Sequence, residues 1–497
     1  MGVVKKQGIA NSIWIYIGLA LGYINMGFIM AKILSTENFG LRTVLFQAGD
    51  FFSVIALIGL PNIVNRFFPS FMNKEKGHGG ILSFILFYWL FGIALASVIL
   101  LLAKGWVVDY YADKSQLLVD FYLFIIPFGG ALALFEGLTA YSKALLKTTV
   151  PVFIREVGQR ILTTFLLGLL AVDIIEFDDF MTWYLGSYVL ATAVLIIYLI
   201  KLDEFQLKLT GGFAWIGRLK EMIVFGLYTW FNNAMQRLVK TADALMLSYF
   251  TGLGAAGIYG LGALIGNIVQ VPSQSLRQIA APLISRHFEE NNIAEIGKLY
   301  AKTCMVQLVS GLFIYLVILV NLDVIFTIWR PEFAAGKAVI IYLGAARLVA
   351  GSTGLNGRII VESKYFRWNF YFNMIMGVLA ITTNLLLIPK YGISGASIAS
   401  SLTIVTVSAL KVLFVYVKFG LQPFSSKTLI ALGIGLLAYF AGAYLPMTDV
   451  FFADIVLKSL VFCLLFVPLV IKANISEEVN DLVYNGFKKA RNLLKRS

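Results

Sequence analysis

Cysteine and histidine are nearly missing from this chain, with two of each in 497 residues. Cys304 and Cys463 lie far apart, each inside an apolar run. That excludes a disulfide framework and a cysteine-rich metal site, and both read as packing residues. His78 and His287 fall in short polar stretches between apolar runs and read as solvated loop residues, away from any acid–base chemistry inside those runs. A Gly-x-x-x-x-Gly-Lys-Ser/Thr loop is absent, so the chain has no means of its own to hydrolyse ATP. Gly252-Leu-Gly-Ala-Ala-Gly257 has dinucleotide-motif spacing, but an apolar helix precedes it where a strand is required, so its glycines read as a tight hairpin. No metal and no organic cofactor is implied.

Charge is scarce too. Only 13% of residues are Asp, Glu, Lys or Arg, against 59% hydrophobic and a mean hydropathy of +0.84, which excludes an ordinary soluble domain. Strand-type alternation is missing, which excludes an outer-membrane barrel. What remains is a series of apolar runs about 20 residues or longer, the length of a membrane-spanning helix. The fold class is therefore all-α, a polytopic membrane protein with about fourteen transmembrane helices.

The apolar runs predict spans near 9–34, 41–70, 80–103, 117–141, 150–172 and 180–201, then 222–250, 255–284, 299–322, 336–360, 367–388, 393–418, 427–446 and 453–472. The first run is too long for a cleavable signal and no small-x-small site closes it, so it reads as a span. The expected organisation is an amino-terminal lobe over 1–202, an interfacial linker over 203–221 and a second lobe over 222–420, followed by two further helices over 421–475. An amphipathic helix is expected over 476–497, acidic at its start (Glu477, Glu478) and basic at its end, lying on the inner leaflet.

A net charge of +13 suggests nucleic acid in a soluble protein, but in a membrane protein Lys and Arg gather on cytoplasmic loops. With the amino terminus inside, about 26 of the 40 basic residues fall at inner ends and about 8 at outer ones, whereas the loop with Asp173, Glu176, Asp178 and Asp179 has no base. Both termini are thus expected in the cytoplasm, and no nucleic acid partner is implied.

Charges inside the spans are the functional signal. An ionised side chain at the bilayer centre costs roughly 2.5–3.5 kcal/mol, so such groups face protein or a watery cavity. The seventh span carries Arg237, Lys240 and Asp243, of which the last two stand three residues apart and can pair. Arg237 needs a partner elsewhere. Asp50, Arg66, Glu136, Arg155, Glu156, Arg160, Arg277 and Arg347 lie in other spans. Candidate cavity cations are Arg66, Arg155, Arg160, Arg237, Lys240, Arg277 and Arg347; candidate ion-coupling carboxylates are Asp50, Glu136 and Asp243. Arginine's planar fork suits phosphate or carboxylate, so the implied ligand is an anion. Either a wholly internal ion-pair network or a substrate cavity accounts for these charges.

Four stretches carry a family resemblance. Ala31-Lys-Ile-Leu-Ser-Thr-Glu-Asn-Phe-Gly-Leu41, Gly59-Leu-Pro-Asn-Ile-Val-Asn-Arg66, Asp243–Tyr259 and Ile388-Pro-Lys-Tyr-Gly-Ile-Ser-Gly-Ala-Ser-Ile-Ala399 resemble, in order and spacing, the Wzx-type polysaccharide transporters of the multidrug/oligosaccharidyl-lipid/polysaccharide (MOP) flippase superfamily. The resemblance implies two six-helix lobes, as in MATE and MurJ transporters, with a basic cavity and two extra helices. It also implies alternating access coupled to H+ or Na+, with an undecaprenyl-pyrophosphate-linked oligosaccharide carried outward across a bacterial cytoplasmic membrane. Membrane lipids and other polysaccharide-assembly proteins are the implied partners, and no enzymatic activity is implied. A lipid II flippase shares the expected basic cavity, a multidrug exporter wants an acidic one, and a glycan polymerase or acyltransferase wants longer outer loops than these.

Overall fold

The computed structural model describes residues 2–111, 115–207, 213–446, 448, 450–481 and 484. Most of the amphipathic helix expected over 476–497, and residues 208–212 of the expected linker, lie outside the described residues. Among the described residues all regular structure is helical.

Among the described residues eleven helices are long and apolar enough to cross a membrane. One of them, the 52-residue Trp368–Phe419, bends at Gly392 (φ 55°, ψ −127°) and holds the two spans expected over 367–388 and 393–418. Two further expected spans are not among these eleven, for physical reasons. That near 150–172 is divided by a π-helical turn, Ile154–Gly158, and Leu219–Thr251 carries Arg237, Lys240 and Asp243. With these three adjustments the helices correspond to the fourteen expected.

The chain forms two compact units, Met1–Gly260 and Leu261–Ser497. The principal helices of the first are α1 (Gly2–Ile24), α2 (Thr36–Leu57), α3 (Leu60–Phe67), α4 (Ile81–Tyr111), α5 (Ile125–Ala144), α6 (Gln159–Ala171), α7 (Phe177–Lys201) and α8 (Leu219–Thr251). Helix α9 (Leu253–Asn267) spans the division. The second unit holds α10 (Val271–Glu289), α11 (Ile293–Val320), α12 (Lys337–Ser352), α13 (Asn356–Glu362), α14 (Trp368–Phe419), α15 (Ser426–Ala443) and α16 (Phe451–Lys472). Helix α8, expected from the sequence to open the second lobe, packs on α2 and α3 of the first unit.

In the first unit α2 is the axis of packing, in contact with α4, α5 and α8. Ser35 caps its start by accepting a hydrogen bond from the Asn38 amide. Its first turns meet α9 backbone to backbone: a Cβ on Gly40 would stand 1.8 Å from the Leu253 carbonyl oxygen, and one on Gly257 2.2 Å from that of Thr36. Small residues permit this approach, which compensates for the weak hydrophobic drive between helices in lipid. The hairpins around Ser35 and Gly252 therefore touch. Helix α2 ends where Ile58 (φ 40°) and Gly59 (φ 79°) turn left-handed, and Gly59 is pressed to within 2.2 Å of the Gly226 carbonyl by the same measure.

His78 corrects an expectation. It is only 4% exposed, with its ring against Phe68 and Tyr141 and Nε2 3.0 Å from a Glu204 carboxylate oxygen. Gly77, His78, Gly79 and Gly80 all have positive φ, and the three glycines let the loop fold under so that the ring points inward. The Ala214 amide and the Trp215 indole then donate to the carbonyls of Gly79 and Gly80, binding the end of the linker to this loop. His287 is likewise no loop residue: it sits in the last turn of α10, partly buried, with Nδ1 3.3 Å from Glu290.

The second unit's core gathers Tyr300 and Cys304 of α11 with Leu355, Ile359 and Phe372. Cys304 is a packing residue as expected, its sulfur lying against Gly354 (φ 60°), where the chain breaks between α12 and α13.

Candidate functional site

The expected cavity cations fall into two groups, one in each unit, with different electrostatic surroundings. In the first unit two π-helical segments, Asn25–Met30 after α1 and Ile154–Gly158 before α6, place polar groups at membrane depth. Such i→i+5 turns occur often at functional sites because they break the regular ladder and redirect side chains. The segments are joined by side chains: Asn25 Nδ2 donates to the Arg160 carbonyl (2.8 Å), and Thr164 donates to Asn25 Oδ1 (2.9 Å). Gly18 and Gly22 pack closely against Glu156 and Arg160.

Around this join the charges pair. Arg155 bonds Glu136 on α5; Arg160 Nη1 lies 2.9 Å from Glu156; Arg237 Nε on α8 lies 3.1 Å from Asp50 on α2. Arg155, Glu136 and Lys240 also act on Asp50. Four cations thus face three carboxylates in one nearly neutral network. Asp243 is buried and accepts a hydrogen bond from the Tyr259 hydroxyl. Two other arginines stand against aromatic rings. Arg42, which the sequence reading missed, is buried with Nη2 2.5 Å from the Tyr184 hydroxyl and its guanidinium 5.1 Å from the Phe46 and Tyr184 centroids. Arg66 lies 4.3 Å from the Phe225 centroid.

The second unit is arranged differently. Arg277 of α10 senses Arg347 of α12 and Arg358 of α13, and Lys411 of α14 senses Arg277. All four are only partly exposed. Among the described residues no carboxylate forms an ion pair with Arg277, Arg358 or Lys411. Like charges ~7 Å apart repel by about 2 kcal/mol at an effective dielectric near 20, so such a cluster is held together by the fold and relieved by an anion. Sequence reasoning named Arg277 and Arg347 and missed Lys411, whose signal was a lysine within an apolar run. Arg358 reads from the sequence as a residue of the inner ends of spans. The break at Gly354 sets Arg347 and Arg358 on separate helices, α12 and α13.

Helices that pack at glycines and carry such charges at depth define a polytopic transporter-type membrane protein. The chain belongs to the polysaccharide biosynthesis protein family, which matches residues 4–288, more than half of its length. It is 26% identical over 196 residues to an uncharacterised membrane protein of Methanocaldococcus jannaschii; the match covers 37% of this chain and 36% of that relative, about a third of the relative's length. Among solved structures it is similar to the lipid II flippase MurJ in an inward closed conformation, with TM-score 0.70 and 15% identity over 93% of this chain and 99% of that one. It is also similar to an inward-facing multidrug resistance MATE family transporter of the MOP superfamily, with TM-score 0.62 and 11% identity over 83% and 98%. The fold is shared with these MurJ and MATE structures, as the resemblance implied.

Proposed function

We propose that the protein is a flippase that carries a lipid-linked oligosaccharide, joined to its lipid through a diphosphate, from the inner to the outer leaflet of a bacterial cytoplasmic membrane. The observation that carries this reading is the gathering of Arg277, Arg347, Arg358 and Lys411, of which Arg277, Arg358 and Lys411 form no ion pair with a carboxylate among the described residues. A diphosphate carrying about two negative charges satisfies such a cluster, with arginine giving bidentate hydrogen bonds, whereas a cationic drug is repelled. Membership of a polysaccharide biosynthesis protein family supports a saccharide head. Both termini are cytoplasmic on the distribution of Lys and Arg.

Movement between leaflets needs an access state that a gradient biases. The Asp50–Arg237 pair is suited to such coupling, because a proton or Na+ on Asp50 releases Arg237 from its 3.1 Å contact. Transport of a prenyl-diphosphate-linked sugar in proteoliposomes, read by accessibility to an added glycosidase, tests the reading. Wild-type protein should expose the sugar and Arg277→Gln/Lys411→Gln should not. Export of cationic dye with no movement of the lipid-linked sugar would establish a drug exporter instead.

A further inference from the structure

At the end of the second unit where α13 gives way to α14, basic residues collect around one ring. Lys364 Nζ lies 5.3 Å and Lys418 Nζ 5.6 Å from the Tyr365 ring centroid. Arg367 follows two residues on, its guanidinium 5.9 Å from the Phe366 ring. All three cations are exposed, and among the described residues none forms an ion pair with a carboxylate, including the nearby Glu362.

From this rim a line of aromatic rings leads inward. Tyr365 meets Phe414 (5.8 Å), Phe414 meets Phe372 (5.6 Å), and Lys411 Nζ stands 6.0 Å from Phe372. Lys411 and Lys418 are seven residues apart on α14, so they share a face with about 10 Å of rise between them. The rim thus stands about two turns from Lys411 and the arginines around it. Exposed apolar rings flank the cations, with Phe366 at 51%, Trp368 at 44% and Tyr371 at 52%. Cations beside exposed aromatics at a membrane interface fit a molecule with both a phosphate and a hydrocarbon tail.

We propose that Lys364, Arg367 and Lys418 form a docking site for the phosphate headgroup of a lipid in the inner leaflet, from which a lipid-linked diphosphate passes along α14 to Lys411. The orientation and the substrate class rest on the flippase reading above. The headgroup sits among the three cations while the tail lies in the bilayer against Phe366 and Trp368. A soluble phosphate meets the same cations but gains nothing from the rings.

The test is binding, independent of transport. Full-length protein extracted from vesicles of phosphatidylcholine with phosphatidylglycerol is examined by native mass spectrometry for retained phosphatidylglycerol, then challenged with a prenyl monophosphate or with inorganic pyrophosphate. Wild type should retain the anionic lipid, and the prenyl phosphate should displace it at concentrations where pyrophosphate does not. Lys364→Gln/Lys418→Gln should weaken retention about 30-fold, the worth of two interfacial lysines. Lys364→Arg/Lys418→Arg, which keeps the charge, should retain it, and Arg367→Gln alone gives a second reading if the double variant folds poorly. Equal retention by wild type and the glutamine variants, or displacement by pyrophosphate as readily as by prenyl phosphate, overturns the site. Retention by a wild-type protein that moves no lipid-linked sugar leaves the site standing and defeats the flippase reading, whereas transport without retention does the reverse.

Discussion

Arg237 on α8 and Asp50 on α2 form a partly buried ion pair at 3.1 Å, with side-chain exposures of 32% and 18%. Removing one partner leaves the other charge poorly solvated, and removing both leaves neither. Asp50→Asn and Arg237→Gln should each lower thermal stability in neutral detergent, and the double variant should lose less than the sum. A coupling of about 1–2 kcal/mol is expected, reduced from the buried-pair range by the partial exposure. A strictly additive double variant would show that the pair contributes nothing.

The second unit should respond with the opposite sign. Arg277 lies among Arg347, Arg358 and Lys411, so neutralising Lys411 removes repulsion and no ion pair seen among the described residues. Lys411→Gln should raise the unfolding temperature of the ligand-free protein, by about 1–2 kcal/mol in stability, while weakening its affinity for a prenyl diphosphate. Differential scanning fluorimetry with and without that ligand reads both changes. A fall in ligand-free stability would mean that Lys411 is a structural residue.

Acid should loosen the carboxyl-terminal segment. Burial by itself raises the Glu478 pKa, but hydrogen bonds from Lys302 and Ser476 outweigh it and hold the carboxyl below its usual range. Lys302 Nζ lies 2.5 Å from it. A group whose folded-state pKa is depressed stabilises above its unfolded pKa, about 4.3 for Glu, and that contribution is lost as pH falls through the folded value. Amide exchange over 475–481, corrected for intrinsic rate, should therefore accelerate below about pH 4, and less so in Glu478→Gln. Exchange with the same pH dependence in both proteins would mean that Glu478 does not hold the segment.

Close backbone approach sets a steric prediction. A Cβ at Gly40 would stand 1.8 Å from the Leu253 carbonyl oxygen, so Gly40→Ala must part α2 from α9. A loss of about 2–4 kcal/mol is expected, from overpacking at a helix contact with no flexible neighbour to yield. Gly168→Ala, on open space in α6, is the matched control and should be near neutral. The folded fraction after extraction, measured by size exclusion, compares them.

The amino-acid sequence by itself determined that this is an all-α membrane protein with helices near the observed positions, because hydrophobicity over about 20 residues is a local property. It also marked most of the charges inside the spans, since an arginine inside an apolar run is visible wherever its partner lies. Only the tertiary structure decided which groups those charges meet. Arg237 pairs with Asp50 and Arg155 with Glu136 because particular faces of α2, α5, α8 and the π-helical turn meet, and no pattern along the chain encodes that meeting. The same holds for His78, whose polar neighbours suggested solvent while glycine-permitted positive φ values turned its ring inward onto Tyr141 and Glu204. Lys411 joins Arg277 for a reason of the same kind: two residues 134 positions apart in the chain become electrostatic neighbours only when α10 and α14 are folded into one unit.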